Sequence, residues 1–424
     1  MLNRNKVTLL SGLILLSLTA SVRAEDVVLR ALMEDVPETQ IIEKMLPDFE
    51  KQYHIKVQFE KIGYGDMHDK LVSQLIQPQS YYNLLEVDFL WAGEFSRAGW
   101  LSDLTDEVKK PGFDMSAFIP ATVSLLNVDE KKTLLVPMYN YSMGLIYRTD
   151  VLQDAKLNSA WQAEFKQPLA LPTTLDGYVS LIKFISKNSD MSGAAMQGQR
   201  GDPNSMEFSN YLFASGGAYV NAEGKSALNG PAGHKAMSLY ADAIKNAAQK
   251  GALSATLDDT VRLMCSGKAF SMLTYWWMLP QLDNTAACPA VAGKLALTTV
   301  PGGHGESGGW GWGVPKNIPD KEKQAALTFI QWVQSKDVTI ARALQGHAPV
   351  RSDVYTSAEV LKKYPYYKDA LNIVATGKSF PIFTYSAQYE DVLGTQLSLL
   401  ASGENTVDAS LKSTSDQLDK LLQK

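Results

Sequence analysis

The stretch LLVPMYNYSMGLIYR, residues 134–148, consists of two apolar extended runs that meet at Asn140-Tyr141-Ser142. Each run reads as a strand by its aliphatic and aromatic content. A continuous strand pair of this kind can carry a chain from one lobe of a protein into another. Length points the same way: 424 residues exceed what one hydrophobic core usually organises, so two domains are expected.

Upstream, VVLRALM (27–33), KVQFEKI (56–62) and EVDFLWA (86–92) read as strands. Between the first two, Ile41, Met45 and Phe49 recur at helical spacing, with Ile42 and Leu46 beside them. Pro47 falls inside that pattern and predicts a kink or an early break, because proline lacks the amide hydrogen a helix interior needs. A helix near 66–77 precedes the third strand. Strand alternating with helix is the grammar of a parallel sheet covered by helices, hence an α/β protein. Downstream, 174–188, 205–216, 231–250 and 258–282 all carry helical spacing. The glycine-rich PGGHGESGGWGWGVPKN (301–317) cannot be regular helix. Helices are expected again at 320–336, 337–346 and 405–423, the last with Val407, Leu411, Leu418, Leu421 and Leu422 on its apolar side.

At the N-terminus, Arg4 and Lys6 precede an apolar run from Val7 to Leu18, and Val22-Arg23-Ala24 follows. This is the pattern of a secretory signal peptide cleaved after Ala24. The run is short for a bilayer span. No cysteine sits at the cleavage point, so a freely soluble periplasmic protein is expected rather than a lipid-anchored one. Cleavage removes three positive charges and moves the formal net charge from −5 to −8. An acidic chain with scattered basic residues is a poor nucleic-acid binder. Cys265 and Cys288, the two cysteines, both lie in the exported part. In an oxidising compartment they are expected to form a disulfide, contributing on the order of 3 kcal/mol by closing the loop between them. A metal or catalytic thiol would need a further ligand or a nearby histidine, and neither is placed beside them.

Several segments together resemble the family 1 extracellular solute-binding proteins, the group that includes the maltose- and polyol-binding proteins of ABC importers. They are VDFLWAGEFSRAGWLSDLTDEV (87–108), VPMYNYSMGLIYRTDVL (136–152), PTTLDGYVSLIKFI (172–185), CSGKAFSMLTYWW (265–277), the glycine-rich 301–315, ALTFIQWVQSKDVTIARALQGHAPVRSDVY (326–355) and the closing helix. The resemblance implies two α/β lobes built from discontinuous pieces, with a sugar or polyol between them and a membrane permease as partner. It places the first lobe at about 25–138 plus 309–347 and the second at about 139–308 plus 348–424. Three crossings would then form the hinge, near Tyr139–Tyr141, Gly308–Gly311 and His347–Val350. A monomer needing no cofactor is expected.

A sugar needs aromatic rings for its C–H faces and planar polar groups for its hydroxyls. Trp91 follows the third strand, at the carboxyl end where open α/β sheets place ligands. Tyr64, between Gly63 and Gly65 with Asp66 nearby, follows the second strand, and Glu34 follows the first. A carboxylate at Glu34 would accept hydroxyl hydrogen bonds or complement a helix N-terminus. Tyr139 and Tyr141 lie in the first crossing. Trp276 and Trp277 are neighbours pointing different ways, one toward the cleft and one into the core, and the sequence leaves open which. Trp310, among glycines at the second crossing, has room to stack on a ligand, and Trp312 could share its face. Arg200, in a glycine-flanked loop, could grip hydroxyls or a carboxylate with its fork, or pair with Asp202 or Glu207 at the surface. Arg351 is a further candidate at the third crossing, whereas Asp88 is expected to be structural.

The five histidines, 54, 68, 234, 304 and 347, are scattered, with no HExxH and no paired Cys/His spacing, so a metal site is unsupported. The 301–317 stretch lacks the Lys-Ser/Thr of a phosphate loop, and no G-x-S-x-G elbow occurs. No catalytic set emerges. The rival of a different class is a periplasmic glycoside hydrolase, which needs two carboxylates across a cleft; Glu34, Asp66, Glu94 and Glu207 are available for it.

Overall fold

The first three strands form as β1 (Val28–Glu34), β2 (Lys56–Ile62) and β3 (Leu84–Asp88), with β1 in the middle and parallel to both. This is the computed structural model of the chain; it describes residues 27–128 and 131–424, so the expected signal peptide lies outside the described residues. Strand β3 is buried throughout, whereas β2, at the sheet edge, is mostly exposed, as its charged residues require. The break expected at Pro47 separates α1 (Pro37–Glu43) from α2 (Leu46–Tyr53). Pro47 falls in the first turn of α2, where a missing amide hydrogen costs nothing. Helix α3 (Tyr64–Leu75) follows β2.

Two expected elements differ. The third strand stops at Asp88, and Phe89 begins α4 (Phe89–Ala98). Asp88 switches the conformation by capping: its carboxylate accepts from the Leu90 amide at 2.9 Å. The helix expected over 258–282 is a helix only over Leu257–Cys265, and Gly267, with φ +72°, ends it. AFSMLTY then becomes a buried strand, since a continuous apolar run has no periodicity to distinguish the two.

Six more strands follow: β4 (Leu135–Asn140), β5 (Met143–Arg148), β6 (Ser192–Ala194), β7 (Ala269–Tyr275), β8 (Leu295–Thr298) and β9 (Gly309–Gly313). They complete one sheet in the order β2-β1-β3-β9-β4 and form a second in the order β6-β7-β5-β8. Strand β9 enters the first sheet antiparallel to both neighbours. Its GWGWG alternation has a steric reason: a Cβ on Gly311 would lie 2.8 Å from that of Leu135. The disulfide Cys265–Cys288, with Cα atoms 4.7 Å apart, ties the end of helix Leu257–Cys265 to the loop ahead of β8.

The chain passes between the sheets from β4 to β5 and back from β8 to β9, and the passages are stitched to each other and to the 347–350 segment expected as the third crossing. Asn140 donates to the Pro349 carbonyl at 2.6 Å and the Tyr355 hydroxyl at 2.9 Å, and accepts from the Trp276 indole at 3.1 Å. The Ser142 and Ser307 hydroxyls meet at 2.7 Å. Gly308 must lack a side chain, because a Cβ there would enter the Tyr141 ring at 2.1 Å. Over the gap between the sheets, helix Ser386–Ser402 packs against both α4 and helix Asp202–Ala214, which closes the structure. Among the described residues no helix is long and apolar enough to cross a membrane.

Candidate functional site

Because β1, β2 and β3 run parallel, their carboxyl ends lie at one edge of the first sheet. That edge carries Glu34 at the end of β1, Tyr64 at the start of α3 and Asp88 at the end of β3. Strands β4 and β9 bring Tyr139 and Trp310 to the same edge as register partners. The second sheet faces it with Tyr275, at the end of β7, and with Trp277 just beyond. Asp202 and Leu257 each begin a helix there, and Tyr141 stands on the first crossing. With Val36 and Glu38 of the α1 region, these residues line a chamber of about 210 Å³ between the sheets.

The rings form one connected wall. Tyr139 stacks on Trp310 at 6.2 Å, and Tyr64 and Trp91 meet Trp310 edge-on at 5.9 and 5.5 Å. Tyr141 meets Tyr275 edge-on at 5.5 Å, and Tyr275 stacks almost parallel on Trp277 at 5.7 Å. An aromatic wall is the kind of surface against which the C–H face of a sugar packs.

The polar lining is acidic. Burial pushes the Glu34 carboxyl up to about 7, nearby Asp202 adds to this, and a hydrogen bond with Tyr139 opposes it. Burial raises Asp202 to about 6. Asp88 is also held above the usual carboxylate range, by burial first, against the Leu90 amide and the Tyr141 hydroxyl that favour its ionised form. Glu38 has a separate commitment: it hydrogen-bonds His347, and its other oxygen accepts from the Ala348 amide at 3.0 Å. Among the described residues, no three His, Cys, Asp or Glu side chains are grouped to hold a metal ion.

The structure brings Glu34, Tyr64, Tyr139, Tyr141, Trp277 and Trp310 into the lining. Trp91 is buried one layer behind, stacked on Tyr64 at 5.5 Å. The two adjacent tryptophans separate: Trp276 is core, packed on Tyr367 and Tyr355, because the tight turn after β7 sends neighbours in opposite directions. Trp312 shares the sheet face of Trp310 but lies deeper, edge-on to Phe329 in the core. Three expected ligand residues stand elsewhere. Asp66 is exposed in the first turn of α3, and Arg200 is exposed on the turn before helix Asp202–Ala214. Arg351 is buried but occupied, gripping Asp353 at 3.0 and 3.1 Å and Asp114 at 3.2 Å. Sequence reasoning missed Asp202, Tyr275, Val36, Glu38 and Leu257 as lining residues and gave Asp88 only a structural role. Asp202 followed by Pro203 carried a helix-start signal; Tyr275 was hidden by the helical reading of 258–282.

The chain belongs to the bacterial extracellular solute-binding protein family, whose model matches residues 35–340. Among solved structures, an ABC transporter solute-binding protein of Agrobacterium radiobacter in complex with ribitol is 25% identical, with a TM-score of 0.82 over 93% of this chain and 98% of that one. Maltose-bound MalE3 of Thermotoga maritima is 24% identical, with a TM-score of 0.81 over 93% of this chain and all of that one, 100%. A probable amino-acid ABC transporter periplasmic-binding protein of Sinorhizobium fredii is 22% identical over 322 residues, 75% of this chain and 71% of that protein. The fold is therefore the two-lobed fold of these proteins, with discontinuous lobes joined by three hinge segments. By family, the chain is therefore a solute-binding protein.

Proposed function

We propose that this protein captures a sugar or polyol in the periplasm and hands it to a membrane permease, without changing it chemically. The observation that carries the reading is the chamber walled by stacked and edge-on aromatic rings, with carboxylates between them, drawn from both sheets. Rings take the C–H faces of a carbohydrate, and carboxylates accept its hydroxyl hydrogens. The ribitol and maltose bound to the two solved relatives support the same class. The lobes we assign are about 25–138 with 309–347, and 139–308 with 348–424. A signal peptide cleaved after Ala24 delivers a soluble monomer to the periplasm.

Binding works by closure. Contacts from both lobes favour the closed form by the ligand's differential affinity for it. Gly93 of α4 marks the closing surface: a Cβ there would lie 2.6 Å from the Phe383 backbone. Gly93→Ala should therefore weaken ligand binding about tenfold while leaving the unliganded fold intact. The test of the reading is a thermal-shift screen of sugars and polyols, followed by small-angle scattering with each hit and chromatography of the mixture. A raised Tm, a smaller radius of gyration and unaltered ligand are expected. Ligand converted to product would replace the carrier with a glycoside hydrolase; binding without compaction would sink the hinge mechanism.

A further inference from the structure

The chamber carries more negative charge than a neutral carbohydrate needs. Glu34 and Asp88 come from the first sheet and Asp202 from the second-lobe helix, and no Lys, Arg or His is among the lining residues. Two further carboxylates stand within electrostatic reach. Glu306, at the second crossing, is wholly buried and acts on Asp88's neighbour Tyr141 and on Tyr275. Glu390, on helix Ser386–Ser402, is nearly so, and one of its oxygens finds no hydrogen-bond donor among the described residues.

Like charges in a closed, poorly solvated space repel far more strongly than in water. Burial, with the Asp202 charge adding to it, accordingly raises Glu34 to about 7, and burial raises Asp202 to about 6. Compensation must come from protons or from a cation. Two observations say what kind of cation. The carboxylates are not clustered for metal coordination, so the positive charge belongs to an extended solute. The wall beside them is aromatic, and ring faces attract ammonium groups as well as C–H faces. A third observation keeps the solute a carbohydrate. Trp277 lines the chamber and its buried indole nitrogen has no acceptor among the described residues, which leaves a donor for a ligand oxygen.

Resting on the carbohydrate reading above, we propose that the solute is a cationic carbohydrate, an amino sugar or amino polyol, whose ammonium is received by Glu34, Asp88 and Asp202. A uronate would add a like charge where no guanidinium meets it. Arg200, which could have met one, is exposed outside the chamber.

The test is calorimetric titration at pH 7 with matched sets that differ in one group: sorbitol, glucamine and gluconate; glucose, glucosamine and glucuronate; galactose, galactosamine and galacturonate. Choline and putrescine serve as cations that are not carbohydrates. The amino member of a set should bind at least about tenfold tighter than its neutral member. It should also release about one proton, read from buffers of different ionisation enthalpy, because the ammonium displaces protons from the carboxyls. Glu34→Gln, close to isosteric, should narrow the gap within that set. Neutral members binding as tightly as the amino ones would overturn the charge inference and leave the carbohydrate reading standing. Choline or putrescine preferred over every sugar would overturn the carbohydrate reading and leave the charge inference. Silence from all of them would overturn both.

Discussion

At the third crossing, buried charges meet partners of opposite sign; a few residues away, in the chamber, carboxylates face one another. The crossing joins Glu38 to His347, with the Arg342 guanidinium beside them, itself donating to the Val333 carbonyl at 2.9 Å. Burial, then Arg342, pushes His347 down to about 4, so it stays neutral at physiological pH. Arg351 is similarly answered by Asp353 and Asp114. The chamber shares Glu38 with that network and adds Glu34, Asp88 and Asp202, with no basic side chain in its lining among the described residues. Both regions are buried, so burial of polar groups does not by itself mark a binding site. Lack of compensation does: a charge network closed on itself holds a fold together, whereas one left unbalanced is available to a ligand.

The contrast breaks most readily at the crossing. Arg342→Ala should cost about 3 to 5 kcal/mol in denaturant unfolding, because it strands buried Glu38 without its cation. Ligand affinity of the folded fraction should change little. A stability loss below about 1 kcal/mol would show that the crossing is not held by this network.

The tryptophans give the next effect. Trp310→Ala should weaken ligand binding by about 2 to 3 kcal/mol, roughly 30- to 150-fold, through loss of a stacking surface. Trp312→Ala and Trp276→Ala, by contrast, should lower stability by about 3 to 5 kcal/mol through cavities in the cores. If Trp276→Ala proved to be the affinity variant and Trp277→Ala the unstable one, the assignment of the pair would be reversed.

Proton linkage sharpens the comparison at smaller amplitude. With the two sheets facing each other as in this structure, Glu34 rises from 4.5 to about 7 and Asp202 from 3.8 to about 6. This arrangement therefore binds more protons than an open form whose carboxyls are solvated, and closure weakens as pH rises through 6 and 7. Scattering of the unliganded protein should show a larger radius of gyration at pH 8 than at pH 5. A pH-independent radius would mean that the chamber's charges do not govern closure. The smallest effect belongs to Arg200→Ala, which should leave stability within about 0.5 kcal/mol and affinity within about twofold, as expected of an exposed side chain outside the chamber. A large affinity loss would move Arg200 back into the site.

Much of this was legible in the order of residues. The strand–helix alternation announced the three parallel strands that open the first sheet, and parallel strands oblige Glu34, Tyr64 and Asp88 to share an edge. The crossing around Tyr141 and the glycine-rich β9 were visible as extended segments, and Cys265 and Cys288 pair as their compartment predicts. Each of these rests on local pattern or simple topology, which a linear chain records.

What the tertiary structure decided was direction and partnership. Trp276 and Trp277 have the same side chain one residue apart, and only the turn after β7 sends one to the core and one to the chamber. Arg351 and Arg200 were both candidate ligand residues in the sequence; one is consumed by Asp353 and Asp114, and the other faces solvent. Asp202 and Glu34 are distant in sequence, and their mutual repulsion exists only because two lobes close on one chamber. Sequence fixes which groups are present and which strands can align. Burial and charge balance depend on what approaches from elsewhere in the chain, and so they belong to the folded molecule.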